Sequence, residues 1–123
     1  MIKNKLEKIL LKYKNNNYKH ECIQASIEVL ITLAENKISA LLVHANIAIE
    51  DNIKGHAWVE YDNYVIDLTQ PSEARIMETV DFYEQAKIKK IIKYTFPEIQ
   101  KLLILNTKKS SIYVWVDWLI LDE

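Results

Sequence analysis

Residues 55–70 read GHAWVEYDNYVIDLTQ, Gly55 to Gln70, and the fold follows from how they pair. Two short stretches, His56–Tyr61 and Tyr64–Thr69, alternate apolar and polar residues around Asp62-Asn63. Asp and Asn both tolerate the positive φ of a tight hairpin turn, so the segment is predicted to be two antiparallel strands. A two-residue turn pairs Tyr61 with Tyr64, and therefore Val59 with Ile66, Trp58 with Asp67 and His56 with Thr69. Side chains alternate between faces, so His56, Trp58, Asp67 and Thr69 project to one side. Asp67 then lies diagonal to His56, within side-chain reach on a twisted sheet. A carboxylate beside an imidazole sets its tautomer and steadies the imidazolium, as a general base requires.

The strand upstream extends this sheet. Leu41–Glu50 alternates Val43, Ala45, Ile47 and Ile49 with His44, Asn46 and Glu50, a period of two. The polar run Asp51–Gly55 contains the only glycine and is expected to be a five-residue loop, which sets Glu50 opposite His56. A two-residue loop would mismatch the apolar faces of the two strands. On this register one face is an apolar layer, and the other carries His44, Asn46, His56, Trp58, Glu60 and Asp67. Trp58 on that face implies a cleft or partner, or packing beneath the site.

Helices precede the sheet. Met1–Lys14 places Ile2, Leu6, Ile9, Leu10 and Tyr13 on one stripe with lysines opposite, and Asn15-Asn16-Asn17 ends it. A second helix is expected over Glu21–Glu35, apolar over a broad arc (Ile23, Ala25, Ile27, Val29, Leu30, Leu33, Ala34), as in a central helix buried on more than one side. Cys22 falls in its first turn, where unpaired N–H groups and the macrodipole favour an anion and lower a thiol pKa. A free cysteine is as often a small buried hydrophobe. After Pro71, Ser72–Met77 reads as a short helical turn, Thr79–Lys90 as a helix and Ile91–Phe96 as a strand. Pro97 opens a helix to about Leu105, and Ser111–Leu121 alternates as a strand.

Composition narrows the function. The 123 residues suit a single domain, 1–123, with 16 basic and 17 acidic side chains and a net charge of −1. That balance offers no electrostatic case for nucleic acid. No apolar run is long enough to span a membrane, and the N-terminus lacks a signal peptide's apolar region. One cysteine leaves no internal disulfide and suits the cytoplasm. A zinc site from His20 with His44 or His56 lacks a second cysteine and a recognisable ligand spacing, so neither a metal nor another cofactor is expected.

Cys22 at a helix start, followed by HAWVE and VIDLT, resembles the transglutaminase-like superfamily of the papain-type fold. The nearest likeness is to the small leader peptidases of lasso-peptide maturation, and it covers residues 20–70. The resemblance implies an α+β, papain/transglutaminase-like fold with N-terminal helices packed on a small antiparallel sheet. It implies a Cys22–His56–Asp67 triad, with Asn17 as the nearest side-chain candidate for an oxyanion donor and Trp58 near substrate. Lys19-His20-Glu21 replaces the Gly or Trp usual before the family cysteine. The implied activity is that of a cysteine peptidase or amidase working through a thioester. The same three residues serve protein-glutamine transglutamination and deamidation, and a non-catalytic binding module of the same fold is the rival from another class. The implied partner is a peptide or protein substrate, such as a leader peptide presented by a separate recognition protein.

Overall fold

A computed structural model describes residues 2–18, 22–49, 52–71 and 75–105. Its order is α1 (Ile2–Ile9), a 3-10 turn (Leu10–Tyr13), α2 (Cys22–Glu35), β1 (Leu41–Ile49), β2 (Asn52–Tyr61), β3 (Tyr64–Ile66), β4 (Ile76–Glu78), α3 (Thr79–Gln85), β5 (Lys87–Thr95) and α4 (Phe96–Leu105). Among the described residues this is an α+β arrangement: five strands in the order β4-β3-β2-β1-β5, every neighbouring pair antiparallel. No helix among the described residues is long and apolar enough to cross a membrane. The expected strand Ser111–Leu121, with Trp115 and Trp118, lies outside the described residues.

The β2–β3 hairpin has the expected register, Tyr61 opposite Tyr64 and Val59 opposite Ile66. Asp62 takes the left-handed conformation at φ 57°, the strain an Asp in a two-residue turn tolerates best after glycine and Asn. The second strand is shorter than its alternation suggests: β3 ends at Ile66 rather than Thr69. The Asp67 carboxylate accepts from the Thr69 N–H at 3.0 Å and from its hydroxyl at 2.6 Å. This local turn competes with the ladder and curls the chain away from β2.

The β1–β2 connection departs from expectation. Ile49 pairs with Asn52, so only residues 50–51 join the strands, and Ala45 rather than Glu50 stands opposite His56. His44 and Asn46 therefore share a face with Ala57 and Gly55, opposite to His56, Trp58 and Glu60. The five-residue loop follows from the premise that only one sheet face is an apolar layer. That premise fails, because α3 packs on a second apolar cluster across the other. On one side α1, α2 and α4 close over Leu42, Ala57, Val59, Ile66 and Leu68; on the other, Phe82 of α3 caps Val43, Ala45, Trp58 and Val65. With both faces buried, alternation along β1 no longer tells inside from outside. His44, expected at a surface or cleft, is 2% exposed.

Chain beyond Pro71 differs more. Ile76–Glu78 is strand β4 against β3, not part of a helical turn, and the helix from Thr79 stops at Gln85 instead of Lys90. Ala86 is already extended (φ −90°, ψ 120°) and β5 begins at Lys87. Ile88, Ile91 and Ile92 suit a pleated surface, and pairing along β1 overrides a weak helical stripe. Helix α4 forms where Pro97 places it, with Thr95 and Glu98 closing a reciprocal cap: Glu98 accepts from the Thr95 N–H, and Thr95 Oγ1 from the Glu98 N–H.

Candidate active site

Helix α2 lies against β2, its buried face running from Ile23 to Leu33, and its first residue meets the sheet where β3 has peeled away. There Ala57, beyond the last β2–β3 pair, donates its backbone N–H to the Cys22 sulfur. The short β3 is therefore what opens the sheet to the thiol.

His56 projects beside Cys22. Its Nε2 lies 2.7 Å from Asp67 Oδ2, so Nδ1 is the ring nitrogen left for Cys22, with which the side chain also hydrogen-bonds. Asp67 is 3% exposed, and its carboxylate is fully engaged. Beyond His56 and the two Thr69 groups it accepts from Gln70 Nε2 at 3.2 Å. Burial opposes the ionised form of each of the three. It pushes the thiol up, the imidazolium down and the carboxyl up, and in each the hydrogen bonds and opposite charges of the neighbours prevail. The net result is a Cys22 thiol below its ordinary value, mainly through His56. His56 rises through Asp67 and then Cys22, and Asp67 falls through His56 and Thr69. Cys22 also opens a 14-residue helix with no acidic side chain in its first turn, where the macrodipole favours its thiolate.

Trp58 is wholly buried beneath the site, so it packs rather than touching substrate. Its ring is 5.8 Å from His56 and 4.8 Å from Phe82. Glu60, open to a reading as a solvated residue, is 8% exposed. It accepts from Trp58 Nε1 at 2.9 Å, from Lys93 Nζ at 3.0 Å and from the Tyr83 hydroxyl, knotting β2, β5 and α3 together. Asn17 is exposed in the segment before α2, and residues 19–21, including His20, lie outside the described residues. Among the described residues no group of three His, Cys, Asp or Glu side chains is placed to hold a metal.

Two contributors escape a reading of strand patterns. Thr69 acts through the D-x-T spacing of an Asx turn, legible once Asp67 is suspected of ending a strand. Arg75 donates to the carbonyls of Tyr13 at 2.8 Å, Asn16 at 2.7 Å and Gln70 at 3.2 Å. Its own carbonyl accepts from Asp67 N–H at 2.8 Å. It thus ties the segment leading to Cys22 to the loop bearing Asp67. The signal was there: Arg75 is the single arginine in a chain whose other basic side chains are lysines, and a guanidinium presents spaced donors in a planar fork suited to several separate carbonyls.

Protein-family models, characterised proteins and solved structures yield no match to this chain.

Proposed function

We propose that the chain is a thiol hydrolase of peptide or amide bonds, of the transglutaminase-like, papain-type class. The observation that carries the proposal is the continuous Cys22–His56–Asp67 hydrogen-bonded chain at the N-terminus of a buried helix, with thiol and imidazole shifted toward the thiolate–imidazolium pair. In this reading Cys22 Sγ attacks the carbonyl carbon, forming the C–S bond. The oxygen's developing charge is met by the Cys22 backbone N–H at the helix start. His56 Nδ1 passes its proton to the amide nitrogen as the C–N bond breaks and the amine leaves. Water, deprotonated by His56, then hydrolyses the thioester. An amine in place of water gives transfer, and a glutamine carboxamide as substrate gives deamidation. These alternatives use the same three residues.

A folded-state alkylation experiment tests the thiol. Iodoacetamide should modify Cys22 with an apparent pKa well below about 8.5, the free value, and His56→Ala should raise it. Reaction only after denaturation would make Cys22 a core residue and end the enzyme reading. Mass spectrometry of a glutamine-containing peptide with excess primary amine separates cleavage, deamidation and adduct formation.

A further inference from the structure

On the far side of His56 from the helix lies a cavity of about 350 Å³. Its apolar walls are Ile47 and Ala48 at the end of β1, Met77 of β4, Phe82 of α3 and Ala86 just after it, and Gln70 and Gln85 also line it. His56 lies at one end of it and Lys87 also lines it, while Cys22 does not. A β-bulge shapes this corner. Asn46 pairs with Lys90 but Ile47 with Ile88, so Lys89 is the extra residue. The bulge reverses the alternation of β5 and turns Ile88 to the face of Ile47 and the Phe82 cluster, where a regular strand would direct Lys89. A volume near the lower end of ligand pockets suits one side chain rather than an extended ligand.

The chemistry of the proposed function says which side chain. His56 hands its proton to the departing nitrogen, so the departing half of the substrate lies over His56, away from the thiol. We propose that this cavity binds the side chain of the residue that carries the leaving nitrogen, and that it selects a large apolar one. The inference rests on the thiol-hydrolase reading. Lys87 disfavours a basic side chain there, and the walls are mostly aliphatic and aromatic, which favours an apolar one.

Acyl transfer run backwards tests it without knowing the natural substrate. An N-acetylglycine p-nitrophenyl ester acylates Cys22: the C–O bond breaks, C–S forms and p-nitrophenolate leaves. Added amino-acid amides then compete with water for the thioester, forming C–N as C–S breaks, with His56 taking the amine proton. Leucinamide and phenylalaninamide should capture the acyl group roughly tenfold or more better than glycinamide or lysinamide, as burial of several methylenes predicts. Ala86→Phe, which fills the cavity, should abolish that preference, and Met77→Ala, which widens it, should move it toward phenylalaninamide. Equal capture of all four amides by a protein that turns the ester over through Cys22 refutes the cavity assignment alone, as does a preference unmoved in both variants. p-Nitrophenolate release identical in the Cys22→Ser variant refutes the thiol reading, and the cavity assignment falls with it.

Discussion

Replacing Asp67 by Asn probes the site at the bond on which its ionisation depends. The carboxylate accepts four hydrogen bonds, from His56, from Thr69 twice and from Gln70. An amide has one oxygen. If that oxygen stays with Thr69, the amide N–H₂ confronts His56 Nε2–H; if it turns to His56, the N–H₂ confronts the Thr69 N–H. Either arrangement sets two donors against each other in a buried place. His56 rises from 6.5 to about 10 in the folded protein, which corresponds to something on the order of 5 kcal/mol. The shift is shared between Asp67 and Cys22. Asp67 is the first of the favourable partners, so the variant's His56 should titrate clearly below about 10. Histidine-labelled NMR titration reads this directly, with iodoacetamide kinetics as a second measure of the thiolate. Hydrolysis should drop by roughly two to four orders of magnitude, since an orienting Asp in a serine protease is worth about 10⁴. Stability should fall by about 1–3 kcal/mol for the unmatched donor. A His56 that titrates unchanged in Asp67→Asn refutes the argument, because the ion pair would then owe nothing to Asp67.

Arg75→Lys should behave almost as Arg75→Ala, losing about 2 kcal/mol in chemical denaturation, since a single ammonium nitrogen cannot reproduce the spaced Nε, Nη1 and Nη2 donors. Full stability in the lysine variant would mean the fork is idle. His44 is buried and its Nδ1 has no partner, and burial followed by the charge of His56 holds it at about 4, below the ordinary 6.5. A depressed histidine favours the neutral folded state, so its contribution is complete above pH 6.5 and is lost as pH falls toward 4. That loss amounts to at most about 3 kcal/mol. His44→Phe should flatten the acid limb of a stability–pH profile, and an unchanged limb would assign it to other groups. His56 has the opposite sign: its raised pKa stabilises fully below 6.5 and the gain disappears as pH climbs through about 10. His56→Gln should therefore remove an alkaline loss of stability measured between pH 7 and 10, and persistence of that loss would point to another titrating group.

Local pattern carried much of this protein. The Asp62-Asn63 turn and the period-two residues around it dictate the β2–β3 register, and with it that His56 and Asp67 share a face. The apolar arc of α2 and the position of Cys22 in its first turn are likewise written locally, as is Pro97 opening α4. Each depends on neighbours a few residues apart, where sterics and alternation act alone. What only the tertiary structure decided depends on distant partners. Whether β1 turns back after two residues or five hinged on α3, some thirty residues downstream, covering the face that His56 and Trp58 occupy. The end of the helix at Gln85 hinged on β1 offering β5 a backbone to pair with, a gain no helical propensity near Lys87 could match. Glu60 looked solvated because Tyr83 and Lys93, which bury and neutralise it, come from other elements. The meeting of Cys22 with His56 is of this second kind as well. It requires β3 to stop at Ile66 and Arg75 to bind carbonyls on both sides of the gap, so a helix end and a strand 34 residues apart in sequence close on one another only when the whole sheet is in place.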